Sequence, residues 1–267
     1  MNKAEQAKNE IRAVDELSAG TSAIHNLAPV IKLLLTVLYI IVTVSFGKYD
    51  ITGLIVMALF PLLGYQLSYI SVSECFYKLR MILPLVCAVG IANPFFDKEI
   101  LFYIGSIGIS GGVVSMLTLI MKGVFSLMMS FLLVATTPVE DICRALRQLH
   151  FPKLLTSLFM LTVRYIGVLL DELATMTTAY HLRAPRQNGI EYKAWGSFLG
   201  QLILRSMDRA DAIYNSMKIR GFHGEFYYSN AEKASAKTIA IAIFTAMLMI
   251  MARFYNVSAL IGGLFIR

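Results

Sequence analysis

Long apolar segments broken only by isolated charges constrain this chain more than any other feature. Pro29 opens a run from Val30 to Phe46 whose one charge is Lys32, a residue long enough to snorkel to the interface. After the turn Gly47-Lys48-Tyr49-Asp50, Ile51–Ile70 forms a second run. At about 20 residues it covers a hydrocarbon core of roughly 30 Å. Met81–Phe96 is shorter and cut by Pro84 and Asn93-Pro94, so it crosses tilted or enters only part way. Val113–Ala135 is a further span, with Lys122 inside it, and Lys237–Arg253 is the last. Val257–Ile266 is too short to cross alone. The pattern predicts an all-α integral membrane protein with about five transmembrane helices.

Composition agrees. Hydrophobic residues make up 57% and charged residues 15%, against roughly 25% charged in soluble domains. The charge concentrates in residues 1–16 and 138–237, leaving 29–70 and 101–136 nearly free of it. Of the 24 basic residues, 13 fall between Arg144 and Lys237, which assigns that block to the cytoplasmic side. The net charge of +7 is therefore a juxtamembrane bias and predicts no nucleic-acid partner. Residues 1–28 read as a polar cytoplasmic arm, with Ile11, Val14 and Leu17 on one face of a short helix. No apolar h-region follows within them, so no cleavable signal peptide is expected and the first span directs insertion. Cys75, Cys87 and Cys143 are scattered without metal-ligand or disulfide spacing.

The character changes at Thr137. Thr137 as N-cap, Pro138 in the first turn and Glu140-Asp141 behind it predict a short helix to about Leu149. Ser71–Arg80, by contrast, reads as a polar link. Pro152 begins a long helix to about Arg183, apolar nearly all round in its first half and ended by Pro185 and the polar stretch 186–191. A second rod runs from about Tyr192 to Arg220, with Gly221 as its C-cap. Rods of this length reach roughly 40 Å. The resulting division is an arm (1–28), transmembrane helices (29–136), a cytoplasmic-side helical region (137–234) and a C-terminal transmembrane segment (235–267).

Both rods end in an arginine followed by a small residue, Arg183-Ala184 and Arg220-Gly221, 37 positions apart. Basic residues suit helix C-termini through the macrodipole alone, but the repetition, with small neighbours that let a partner's backbone approach, points to docking. Gly196 and Gly200 form a GxxxG that suits close helix crossing. Lys122 is an intramembrane charge expected to pair with carbonyls or a partner subunit. Asp171-Glu172 is expected to pair with Arg164, Arg205 or Arg209. His25, His150, His181 and His223 show no i, i+4 pairing, and no P-loop motif occurs, so no catalytic residue, metal site, cofactor or nucleotide site is expected.

Several segments together carry a family resemblance: His25-Asn26-Leu27-Ala28-Pro29, Asn93-Pro94-Phe95-Phe96-Asp97, Thr136-Thr137-Pro138-Val139-Glu140-Asp141, Arg164-Tyr165-Ile166, Arg205-Ser206-Met207-Asp208-Arg209-Ala210 and Met217-Lys218-Ile219-Arg220-Gly221-Phe222. The chain resembles the transmembrane T component of energy-coupling-factor (ECF) transporters, of the CbiQ cobalt-transporter type. That family carries two Ala-Arg-Gly signatures at the tips of coupling helices that dock on two ABC-type ATPase subunits. Here they correspond to Leu182-Arg183-Ala184 and Ile219-Arg220-Gly221, with a larger residue before each arginine and alanine for glycine in the first. The resemblance implies long cytoplasmic-side coupling helices and a non-catalytic, multi-pass cell-membrane subunit. Its partners would be two ATPases and a separate substrate-binding membrane subunit (the S component, CbiM-like) that holds the cargo, cobalt by this resemblance. The alternative is a self-sufficient secondary carrier using Lys122 and Asp171-Glu172 as ion-coupling charges, against which the missing inverted-repeat halves count.

Overall fold

The computed structural model describes residues 3–80, 82–96, 100–104, 107–185, 189–224 and 236–254. Its elements are α1 (Lys3–Ser18), α2 (Pro29–Ser45), α3 (Ile51–Ser68), α4 (Val72–Leu79), α5 (Leu83–Phe96) and the strands β1 (Ile100–Ile104) and β2 (Ile107–Ser110). There follow α6 (Gly111–Thr136), α7 (Val139–Gln148), α8 (Lys153–Arg183), a 3-10 turn at Tyr192–Ala194, α9 (Trp195–Ile219) and α10 (Ala236–Phe254). The chain is an all-α membrane protein whose only strands among the described residues are the antiparallel β1–β2 hairpin. Among the described residues, four helices are long and apolar enough to cross a membrane: α3, α6, α8 and α10. α2, with 17 residues, falls just short of that length. Met81–Phe96, expected to cross tilted or enter only part way, contains α5, of 14 residues, and α8, expected among the cytoplasmic-side rods, is itself long and apolar enough to cross. The segment 257–266 lies outside the described residues.

The chain divides into two compact units, residues 17–138 with 232–267, and residues 1–16 with 139–231. In the first unit α6 is central, with α2, α3, α4 and α5 packed on it and α10 against α2 and α3. α2 shows the logic. Its buried residues, Lys32, Thr36, Tyr39, Val42 and Thr43, recur at helical spacing along one stripe, while Leu34, Val37, Ile41 and Val44 are exposed. Mostly polar groups thus face inward and aliphatic ones outward, the arrangement that suits lipid as solvent.

The inward polar groups are spent on backbone carbonyls. The Lys32 ammonium donates to the Thr136 carbonyl at 2.7 Å and to that of His25 at 3.2 Å. At 6% exposed, Lys32 is buried and does not snorkel as its sequence position suggested, because the C-terminal end of α6 presents a carbonyl that needs a donor. The favour is returned. Lys122 of α6 donates to the carbonyls of Val44 (3.2 Å) and Phe46 at the C-terminal end of α2. Arg253 of α10 donates to the Ser45 carbonyl there at 3.0 Å and lies over the Phe46 ring. α2 and α6 are therefore antiparallel neighbours, each with its last carbonyls capped by a lysine from the other. Tyr39 adds a bond to the Met57 carbonyl (3.0 Å) and Tyr65 one to that of Met128 (2.9 Å), tying α3 to both.

Close helix approach is made by glycines that were not singled out beforehand. A Cβ at Gly64 would lie 2.4 Å from Leu132 Cδ2, and one at Gly123 2.5 Å from Val86 Cγ1. These positions set the α3–α6 and α5–α6 distances, and Asn93 Nδ2 donates to Ser115 Oγ (3.0 Å) across the second crossing. Ser71–Arg80, taken from sequence as a polar link, contains the helix α4. Ser71 Oγ caps it by accepting from the Ser73 amide at 3.2 Å, and its Cys75 and Leu79 are buried. Thr137 does not serve as the expected N-cap by its side chain. It is the extended C-cap residue of α6 (φ −142°, ψ 115°), and its buried hydroxyl finds no partner among the described residues.

In the second unit α7 and α8 pack together through a tight connection. The Phe151 amide reaches back to the Leu146 carbonyl and the His150 amide to that of Arg147, each at 3.1 Å. This is a Schellman ending with His150 in the left-handed position at φ 62°. Glycine is the usual occupant, so a histidine here does not advertise the turn.

Four variants check this account by thermal unfolding in detergent micelles. Lys32→Met strands the buried Thr136 carbonyl and the half-buried His25 carbonyl and lowers stability by about 1–3 kcal/mol, whereas Lys122→Met costs less because Arg253 still serves the same helix end. Gly64→Val forces Leu132 aside and costs about 1–3 kcal/mol. His150→Gly relieves the left-handed strain and raises stability by about 0.5–1 kcal/mol.

Candidate docking site

The two arginine-ended rods lie in the same unit and run antiparallel. Glu172 of α8 pairs with Arg205 and, at 3.5 Å, with Arg209 of α9. Nearer the start of α8, Leu161, Arg164 and Tyr165 share a cleft with Met217 and Arg220 at the end of α9. At the other end, the Tyr180 hydroxyl accepts from the Glu191 amide at 3.2 Å, just ahead of the second rod. Arg183 and Arg220 therefore stand at opposite ends of the pair. The stretch of α8 from Arg164 to Arg183 separates them by about 30 Å at 1.5 Å per residue.

The two ends are built differently. α9 finishes in a Schellman motif: the Phe222 amide donates to the Met217 carbonyl and the Gly221 amide to that of Lys218, both at 3.0 Å. Gly221 holds φ 81°, which fixes Arg220 as the capping residue. α8 instead ends with Arg183 as its last helical residue. Ala184, at φ −128° and ψ 64°, donates its amide to the Tyr180 carbonyl at 3.0 Å. Pro185 disfavours helical backbone at Ala184, so this end has no left-handed position and no need for glycine. Alanine in place of glycine in the first signature is thus accommodated by the backbone itself.

Neither guanidinium makes a hydrogen bond or ion pair with another described residue, and both side chains are exposed. The residues before them stand out further: Leu182 is 78% exposed and Ile219 88%. Each tip therefore presents an aliphatic side chain, a guanidinium and a small residue in sequence. Sequence reasoning noticed Leu182 and Ile219 only as departures from alanine. Their exposure depends on where each helix stops, which spacing alone does not fix to one residue.

The other candidate residues are committed elsewhere. Lys122 belongs to the first unit and caps α2 through its carbonyls, one of the two pairings expected of it. Asp171 pairs with Lys8 of α1, a partner 163 positions away that no local pattern announces, while Glu172 takes two of the expected arginines. These charges are engaged in structural pairs, which leaves little for a carrier's ion-coupling chemistry. Gly196 and Gly200 face open space, so no close crossing is made on them among the described residues. Burial pushes the Cys143 thiol above its ordinary range, with the Glu140 carboxylate adding to the rise, so it is a protonated packing residue rather than a nucleophile.

Comparison with known proteins gives this geometry its family. The cobalt transport protein family CbiQ matches residues 20–229. The chain is similar to the cobalt transport protein CbiQ of Rhodobacter capsulatus, 29% identical over 123 residues, 45% of this chain and 50% of that one. It is also 31% identical over 98 residues to the nickel permease LarQ of Lactiplantibacillus plantarum, covering 37% of this chain and 36% of that one. A longer match is to the energy-coupling factor transporter transmembrane protein EcfT of Streptococcus equi subsp. equi, 28% identical over 225 residues, 77% and 81% of the two chains. The matched stretch thus spans half or less of the cobalt and nickel proteins and about four-fifths of this EcfT. The chain belongs to the cobalt transport protein family CbiQ.

Proposed function

We propose that this chain is the coupling subunit of an ECF-type importer, transmitting the motion of two ABC-type ATPase subunits to a separate substrate-binding membrane subunit. One observation carries the proposal: two exposed arginine tips at opposite ends of one ion-paired helix pair, about 30 Å apart along α8. A rod pair held by Glu172, Arg205 and Arg209 moves as a body, so a displacement imposed at its tips is not lost in bending.

In this mechanism Arg183 and Arg220 each enter a groove on one ATPase, where the planar guanidinium fork meets carboxylates or carbonyls. Ala184 and Gly221 let the groove wall approach, and Leu182 and Ile219 bury their exposed aliphatic surface on docking. The docking helices face the cytoplasm, in keeping with the basic excess of residues 144–237. Closing and opening of the ATPases on nucleotide then moves the rods, and the rods move the membrane region that meets the substrate-binding subunit. Hydrolysis belongs to the ATPases, and this chain is non-catalytic. The cargo is cobalt, supported by the family's description and by the name of the Rhodobacter relative. The nickel permease relative makes nickel the alternative to test beside it.

A membrane pull-down of the ATPase pair from its host tests the docking. Wild type captures the pair, and Arg183→Glu plus Arg220→Glu loses it while inserting normally. Each single arginine-to-alanine change weakens capture by about 2 kcal/mol, roughly thirtyfold. Equal capture by wild type and the double variant removes the tips from the mechanism.

A further inference from the structure

A cleft of about 620 Å³ lies between α8 and α9, away from the Arg183 tip. Arg164, Arg209 and Arg220 line it, and among the described residues no carboxylate does. Its apolar walls come from Leu161, Ile213 and Met217. Arg209 already touches Glu172 at 3.5 Å but retains donors to spare, since a guanidinium carries five N–H groups. Arg164 makes no hydrogen bond or ion pair with another described residue, although it sits in an otherwise apolar stretch of helix. Three cations converging on one hollow repel one another unless an anion lies between them.

The surroundings identify the anion's carrier. α8 is long and apolar enough to cross a membrane, and just ahead of Arg164 it leaves Leu154, Leu155, Leu158 and Phe159 exposed. Seven residues beyond Arg164 begins the ion-paired, polar part of the rod at Asp171. The cleft thus sits at the transition from acyl-facing to water-facing helix, where phospholipid headgroups lie. Basic hollows between helices at this level bind anionic headgroups.

We propose that the α8–α9 cleft binds the headgroup phosphate of an anionic phospholipid. Arg164 and Arg209 hold the phosphate, and the acyl chains run along Leu161 and the exposed apolar face of α8. Arg220 and Gly221 line the cleft as well, so the lipid site adjoins the tip proposed above to dock, and ATPase capture is read beside lipid retention. The bound lipid would neutralise the cluster and fix the level of the rods at the membrane surface.

The test uses the full chain in nanodiscs containing equal amounts of phosphatidylglycerol and phosphatidylcholine with matched acyl chains. Native mass spectrometry reads which lipid stays bound. Wild type retains phosphatidylglycerol preferentially, Arg164→Gln lowers that preference about fivefold, and Arg164→Lys keeps most of it. A parallel arm adds inorganic phosphate, which displaces little phosphatidylglycerol because it lacks the acyl chains. Equal retention of both lipids by wild type, or unchanged preference in Arg164→Gln, overturns the proposal. So does displacement of phosphatidylglycerol by millimolar inorganic phosphate, which makes the cleft a free-anion site. If Arg164→Gln loses ATPase capture with lipid preference intact, the cleft is a protein socket and the lipid assignment fails.

Discussion

The exchange of lysines between α2 and α6 is the interaction on which the membrane unit depends. A helix that ends in or near lipid leaves carbonyls without donors, and each costs several kcal/mol if nothing reaches it. Here Lys32 reaches the end of α6, while Lys122 and Arg253 reach the end of α2. The same bonds solve a second problem, since a lysine in an apolar helix is itself costly until it finds acceptors. Two liabilities are cancelled together, and the geometry that cancels them leaves α2 and α6 little freedom to slide. The tyrosine bonds to Met57 and Met128 carbonyls extend the arrangement to α3.

With charge and backbone satisfied in this way, the glycines become the remaining control on packing. Gly64 and Gly123 allow Leu132 and Val86 to enter the surface of a neighbouring helix, so the α3–α6 and α5–α6 crossings are set by volume. Gly196 and Gly200 have the spacing associated with such crossings but meet nothing within 4 Å. The spacing permits approach; only a side chain on the facing helix makes use of it.

Much of this was legible from residue order, and what was not has a physical cause. Apolar runs bounded by proline and charge placed α2, α3, α8 and α9 to within a few residues, because helix starts and stops are local chemistry. The ending at Gly221 was legible for the same reason, since a positive φ there calls for glycine. His150 adopts the same backbone without the residue that advertises it, and the α7–α8 connection stayed hidden. Lys8–Asp171 and Lys32–Thr136 join residues more than a hundred positions apart, and no spacing rule reaches that far. Lys32 was misjudged because its place near a helix start suggested water, whereas the end of α6 supplied a better acceptor. The tips were visible as arginines but not as aliphatic–arginine–small triplets, because the exposure of Leu182 and Ile219 depends on where each helix stops.

The division of charge bears on function as well as on stability. Lys32, Lys122 and Arg253 serve backbone carbonyls, and Lys8, Asp171, Glu172, Arg205 and Arg209 tie α1, α8 and α9 together. Charges held in such pairs are engaged in structure, which counts against reading them as the ion-coupling groups of a carrier. Arg183, Arg220 and Arg164 differ, since no described residue neutralises them. A cation left uncompensated on a rigid helix is most economically explained by an anion or a polar groove supplied from outside. Two of the three sit at helix ends and the third in the cleft that Arg220 also lines, so the proposals above assign them different outside groups, protein at the tips and a headgroup in the cleft. In that reading the rods need such fixed points of attachment, and the paired charges help hold them side by side.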